Sequence, residues 1–466
     1  MLPESFRLDE NDARAYLLAL AGGLLSEIRT GLREPEAADL SERTEKLLRD
    51  IEAADLRTFG LWQRSVHAYD ALSAAVANAR NGRARVARSY ESMAELHADA
   101  GAQAEGRSPH AVWETLEHGR RRQLEGALAA CHRSESALLL NSGASAVAVA
   151  ALAVRPARGA TILIGRRGHP QTVEYLTRFV APLGVKMAQV PPGNEGAVLD
   201  ALRTLKPELA LFETAVNAPG GDVPAGVTRW FEASKKTLFV FDNTVQSALT
   251  RWFEGELAQA QEGRLVVLES ATKYLANQCT AGVIYGPEAL LCRMRDLAQA
   301  TGQQLQEKAF NFVRPAEITH LRWKLARHAG NVRVLVEELG YDDDVDVRSL
   351  DSAADEESRA LLFRHGCGGV VFVRLRGHRG DGERAHHELL ASWQAHARRQ
   401  GAWIPVRAGF GWKDTTAIVH EPSRGRSDAG PAYLRVSVGI EPENVSRRLA
   451  RALAAACVEG SRPASR

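Results

Sequence analysis

The chain has 466 residues, 45% hydrophobic and 25% charged, with 59 Lys and Arg against 57 Asp and Glu and a formal net charge of +2. That length predicts two or three packed units rather than one small core, and the even charge balance argues against a nucleic-acid partner. The five cysteines, Cys131, Cys279, Cys292, Cys367 and Cys457, are scattered without a CxxC pair, so neither a disulfide framework nor a zinc site is expected.

The N-terminal stretch carries acids where a secretory leader needs a positive end and an apolar core. No apolar run approaches the roughly 18 residues of a membrane span. The expected location is a reducing cytoplasm, with no membrane partner. Residues 1–104 read as a helical N-terminal extension. Leu17, Leu18, Leu20, Leu24, Leu25 and Ile28 recur at helical spacing, as do Leu47, Leu48, Ile51 and Leu56. Nothing here has a catalytic pattern, and a role in packing or oligomerisation is expected.

Residues 105–315 read as a large α/β unit. Short apolar runs at 137–140, 161–164, 185–190, 209–212, 238–241, 265–268 and 282–285 alternate with helical stretches. That alternation predicts a mostly parallel sheet covered by helices. Ligands then bind beyond the carboxyl ends of the strands. Residues 316–466 read as a smaller α+β unit: a helix at 316–339, an acidic loop at 342–357, strands at 369–375 and 433–438, and helices at 383–398 and 443–457.

Four segments carry chemistry. In Glu269-Ser270-Ala271-Thr272-Lys273-Tyr274 a lysine follows two hydroxyls at a strand end, where it can form an imine beside a gripped phosphate; an ordinary surface lysine is the alternative. Asp242, ending an apolar strand, suits a pyridinium nitrogen or a helix cap. Asn141-Ser142-Gly143-Ala144 precedes an alanine-rich helix whose free N–H groups can receive a phosphate, or simply forms a turn. Arg435, in Leu434-Arg435-Val436-Ser437-Val438-Gly439-Ile440-Glu441, can hold a carboxylate through two parallel hydrogen bonds, although a half-exposed strand also tolerates arginine.

Together and in this order, these motifs resemble the Cys/Met-metabolism family of pyridoxal 5'-phosphate (PLP) enzymes, over roughly residues 105–457. The resemblance implies PLP fold type I (aspartate-aminotransferase-like), with PLP as cofactor and a small amino-acid substrate. It implies that Lys273 holds the cofactor as an internal aldimine and later shuttles protons. Ser270, Thr272, Gly143 and Ala144 would contact the phosphate, and Asp242 would pair with the ring nitrogen. Asn217, from Glu213-Thr214-Ala215-Val216-Asn217, would lie near the ring hydroxyl. Arg435 would clamp the substrate α-carboxylate. Arg107, after Gly106, resembles the segment that reaches a neighbouring subunit's phosphate, implying a homodimer or homotetramer with shared sites.

The substrate side departs from the family. Where the family has a ring-stacking tyrosine, this chain has His169 in His169-Pro170-Gln171-Thr172. His169 is either a plain stacking ring or an altered acid or base. Glu105 replaces another tyrosine, and Ala276-Asn277-Gln278-Cys279-Thr280 follows Tyr274-Leu275 where the family is glycine-rich. Gly409-Phe410-Gly411 stands for the family's Ser-Leu-Gly near the carboxylate, making Gly409 a candidate substrate contact. The implied activity is γ-elimination or γ-replacement on an unusual L-amino acid in specialised metabolism, through aldimine, Cα-carbanion and vinylglycine-type intermediates. β-Elimination, or a non-catalytic PLP-binding scaffold, are the alternatives.

Overall fold

The computed structural model describes residues 10–32, 35–82, 119–275, 278–340, 344–376, 382–420 and 431–461. Glu105, Arg107, Ala276 and Asn277 therefore lie outside the described residues.

The described residues begin with three helices, α1 (Glu10–Gly31), α2 (Glu36–Ala53) and α3 (Phe59–Gly82). Leu17, Leu20, Leu24 and Ile28 fall on one face of α1, as their spacing requires. They share a buried cluster with Leu47 and Ile51 of α2, Trp62 and Val66 of α3, and Ile440 from the far end of the chain.

A seven-stranded sheet follows, built from β1 (Ser136–Leu140), β2 (Thr161–Gly165), β3 (Lys186–Val190), β4 (Leu209–Glu213), β5 (Leu238–Asp242), β6 (Leu265–Glu269) and β7 (Gly282–Gly286). The spatial order is β1-β7-β6-β5-β4-β2-β3. Only β7 runs against its neighbours, between β1 and β6; the pairs from β6 to β3 are parallel. The central strands are apolar on both faces because helices cover both. Phe239 and Phe241 of β5 point into one buried cluster and Leu238 and Val240 into the other, the two-residue alternation of a strand. The expected strands thus form as read, to within a residue at their ends.

A four-stranded antiparallel sheet, in the order β10-β11-β9-β8, is built from β8 (Val345–Ser349), β9 (Val370–Leu375), β10 (Thr416–His420) and β11 (Tyr433–Ser437). Helices Leu321–Leu339, Gly382–Arg399 and Glu443–Ser461 accompany it. Buried Trp393 ties two of them together by donating to the Leu449 carbonyl at 3.0 Å.

Three expectations need correction. The acidic loop contains β8 and the helix Glu356–Leu362. Its charge hid the strand: Asp346 is paired by Arg348, Arg374 and Arg376, two of which come from the neighbouring chain segment and are invisible to a local reading. β10 was not expected, because its apolar content is short and follows the polar Trp412-Lys413-Asp414-Thr415; pairing with β11 makes it a strand. The helix expected over 316–339 is two, Pro315–Thr319 and Leu321–Leu339, broken at His320. Among the described residues no helix is long and apolar enough to cross a membrane.

Candidate active site

The carboxyl ends of the parallel strands bring most of the candidate residues together. β4 and β5 are in register so that Glu213 lies beside Asp242. Asp242 Oδ1 accepts from the backbone N–H of Thr244 at 3.0 Å and from its hydroxyl at 2.6 Å. The same hydroxyl oxygen accepts from the Ser270 N–H at 2.9 Å. Thr244 thus links the end of β5 to the segment after β6. Thr244 follows directly after Asp242-Asn243 in the sequence, but its link to Ser270 depends on the pairing of β5 with β6.

Burial raises the Asp242 carboxyl, and the two Thr244 hydrogen bonds and the nearby His169 counter that rise. Burial and the charge of Asp242 raise the Glu213 carboxyl, with the His169 backbone N–H opposing as a donor to it. Both carboxyls are thus held above their ordinary values. His169 itself is an exposed residue that caps the short helix Pro170–Tyr175. A small cavity bounded by Gly168, Thr172, Val173, Glu213 and Asp242 opens beside it.

Gly143 begins the helix Gly143–Ala153, capped by Ser142, whose hydroxyl accepts from the Ser145 N–H at 3.0 Å. A Cβ on Gly143 would sit 3.0 Å from Ser270 Cβ, so glycine keeps the space between this helix start and Ser270 open. Ala144, in the same first turn, is exposed. The Thr272 hydroxyl is engaged by the Ala281 backbone, accepting from its N–H at 2.9 Å and donating to its carbonyl at 3.3 Å.

Lys273 is half-buried, with its Nζ 5.5 Å from the centre of the Phe410 ring. Burial, then the charge of Arg435, holds its pKa below the usual lysine value. Arg435 is 5% exposed and donates to the Ala408 carbonyl, while its buried Nε has no hydrogen-bond partner. Among the described residues it has no acidic partner within ion-pair distance. Ser437, two residues on, donates to the Gly409 carbonyl at 3.0 Å. The half-buried Asn217 keeps an unpartnered Oδ1. Among the described residues no group of His, Cys, Asp and Glu forms a metal site.

A mostly parallel sheet with a strand-end lysine, a strand-end aspartate and a glycine-opened helix start defines a fold-type-I PLP enzyme scaffold. The family model described as Cys/Met metabolism PLP-dependent enzyme matches residues 74–454, and the chain belongs to that family. The match begins inside α3, upstream of the residue-105 boundary that the motifs alone suggest.

Curated relatives include "Cystathionine gamma-synthase 1, chloroplastic" of Nicotiana tabacum, 29% identical over 202 residues that cover 43% of this chain and 36% of that protein. The protein of the same name from Arabidopsis thaliana is 28% identical over 202 residues, covering 43% of this chain and 35% of that protein. The match thus spans about a third of the length of these relatives. A crystal structure of cystathionine gamma synthase from Xanthomonas oryzae pv. oryzae, in complex with aminoacrylate and cysteine, superposes with TM-score 0.60 at 19% identity, over 74% of this chain and 87% of that one. Cystathione gamma lyase from Micromonospora echinospora superposes with TM-score 0.59 at 21% identity, over 72% of this chain and 87% of that one. These likenesses establish the fold.

The residues present fit PLP. The space at Gly143 is kept free of a side chain, the buried Asn217 Oδ1 and Arg435 Nε have no partners, and a lysine of lowered pKa lies near Arg435.

Proposed function

We propose that the protein catalyses a PLP-dependent γ-elimination or γ-replacement on an unusual L-amino acid, in specialised metabolism. The observation that carries this is the buried Arg435, without an acidic partner among the described residues, beside the half-buried Lys273. A guanidinium removed from water needs an anion, and an amino-acid α-carboxylate matches its two-pronged geometry. The names of the relatives, cystathionine gamma-synthase and gamma-lyase, favour γ over β chemistry.

In this reading the cofactor, when bound, supplies an electron sink for charge developed at the substrate Cα. Asp242 would hold the proton at the ring nitrogen, with Glu213 beside it at the end of the next strand. Asn217 meets the ring hydroxyl. Ser270, Thr272 and the backbone N–H groups of Gly143 and Ala144 hold the phosphate; the Thr272 hydroxyl exchanges its Ala281 contact to do so. Arg435, with the Gly409 backbone beside it, orients the substrate. Lys273 Nζ would take the Cα proton, a task its lowered pKa suits, and shuttle protons in the later step, in which a Cβ proton is lost and the γ substituent leaves. His169 supplies the proton for the leaving group. Residues 105–315 form the cofactor-binding unit and 316–466 the C-terminal unit. The active form is a homo-oligomer in which Arg107 of a second copy completes the phosphate site.

The test is a screen of the purified yellow protein against O-acyl homoserines, L-cystathionine, L-methionine and halogenated amino acids. Visible absorbance and released oxo acid are followed. 2-Oxobutanoate from a saturated four-carbon substrate supports the reading. Pyruvate would replace it with β-elimination. Borohydride should fix the cofactor on Lys273; fixation on Lys235 or Lys236 would refute the assignment. Mixed dimers of Arg107→Ala and Lys273→Ala chains should regain activity, because one mixed site holds both wild-type residues. No recovery in proven mixed dimers would remove Arg107 from the shared site.

A further inference from the structure

The charged side chains of α3 have no place in the chemistry so far, yet they reach the site. His67 Nε2 lies 3.3 Å from Asp414 Oδ2, and Arg407 donates to Asp414 Oδ1 at 2.8 Å. Asp70 Oδ1 accepts from Lys413 Nζ at 2.9 Å, and Glu317 Oε1 stands 2.8 Å from the same ammonium. The Asp70 carbonyl accepts from Gln278 Nε2 at 2.8 Å. One helix therefore touches both the segment that follows Lys273 and the turn that precedes β10.

That turn, Arg407–Asp414, is built against the reacting residues. Ala408 accepts from Arg435, and Gly409 accepts from Ser437. The Phe410 ring faces Lys273 Nζ. Gly411 has φ 79°, and a Cβ there would sit 2.1 Å from the Lys273 carbonyl oxygen. Behind the turn is a cavity of about 270 Å³ bordered by His67, Asp70, Gln278, Glu317, Arg407 and Trp412. On the side of this open space, ion pairs hold the turn, while its other side packs against Lys273 and Tyr274. Lys413 and Asp414 are 5% and 2% exposed, and buried charges that lose one partner are strongly penalised.

We infer that His67 and Asp70 of α3 are positioning residues of the active site, which hold the Arg407–Asp414 turn and, through it, the spacing of Arg435 from Lys273. The inference rests on the reading of Arg435 as the carboxylate anchor and of Lys273 as the cofactor lysine. It makes α3 part of the working site, where composition suggested only packing or assembly.

The test needs no known substrate. With the cofactor bound on Lys273, the positive charge of Arg435 nearby would depress the protonation midpoint of its visible band. Letting the turn relax removes Arg435 from Lys273 and raises that midpoint. The holoenzyme, His67→Gln, Asp70→Asn, the double variant, Asp70→Glu and Arg435→Gln are titrated across pH by absorbance, with cofactor content and melting temperature measured on each. The double variant should stay folded and keep its cofactor, melting below wild type, and show a midpoint raised by roughly half a unit or more. Asp70→Glu, which keeps the charge, should stay near wild type. An unshifted midpoint in the α3 variants, with a shift in Arg435→Gln, would overturn the inference and leave the reading of Arg435 intact. No shift in Arg435→Gln would overturn that reading and the inference with it. Cofactor loss or unfolding in both single α3 variants would make α3 a general scaffold and equally overturn the inference.

Discussion

Arg435 presents a fork with one arm on the Ala408 carbonyl and a buried Nε still open. Lysine at this position keeps the charge but loses the planar geometry. Arg435→Lys should weaken binding of a responsive amino acid by about tenfold or more, the scale of one charge-assisted hydrogen bond, with cofactor content unchanged. The reverse pattern, cofactor lost and amino-acid affinity kept, would put Arg435 at the phosphate. His169 is the other single-residue question. His169→Phe keeps a ring and removes the exchangeable proton. The expected outcome is a loss of turnover on the order of a hundredfold, while Cα-deuterium exchange, the task of Lys273, survives. Turnover within a few-fold of wild type would leave His169 as a ring chosen for its shape.

At the scale of elements, two glycines set how close the helix Gly143–Ala153 comes to its neighbours, and their substitutions should act in opposite ways. A Cβ at Gly282, on β7, would fall 2.1 Å from the Ser142 carbonyl oxygen, a collision with backbone that cannot swing aside. Gly282→Ala should lower stability by about 1–3 kcal/mol, the usual range for overpacking, read as a lower melting temperature of the cofactor-free protein. A Cβ at Gly143 would lie 3.0 Å from Ser270 Cβ and 3.3 Å from its Cα, tight contacts that a shift of a few tenths of an ångström relieves. Alanine also favours helix over glycine by up to about 1 kcal/mol. Gly143→Ala should therefore keep or raise the melting temperature while the cofactor dialyses away faster. Equal cofactor retention in Gly143→Ala and wild type would mean that the phosphate lies elsewhere.

Across the whole molecule, the helical N-terminal region is joined to the C-terminal unit by ions as well as by its apolar cluster. The hydrogen bond to Asp414 holds the His67 imidazolium above the ordinary histidine value, against the opposing effects of partial burial and Arg407. Such a pair stabilises fully below the unfolded histidine value and fades as pH rises through the raised folded one. His67→Ala should thus melt below wild type at about pH 6, and the gap should narrow by about pH 8.5. Because His67 is 41% exposed, solvent screens the pair and the gap will be small. A gap that widens with pH would mean that the link is not carried by the charged imidazole.

What sequence alone determined was local. The seven main-sheet strands, the lysine, aspartate and arginine at strand positions, and the glycine before an alanine-rich helix are all written in patterns of two to ten neighbouring residues, where periodicity and motif suffice. The tertiary structure decided the rest, because each remaining feature depends on a distant partner. β8 forms by pairing with β9, where arginines at 374 and 376 meet Asp346, and β10 forms by pairing with β11. The His67–Asp414 contact joins residues 347 positions apart. On its own helix His67 is only a half-exposed polar residue, and no local spacing could tell it from its neighbours. Only the fold, by burying Asp414 and Lys413 behind the turn that grips Arg435, gives α3 its charged face toward the site.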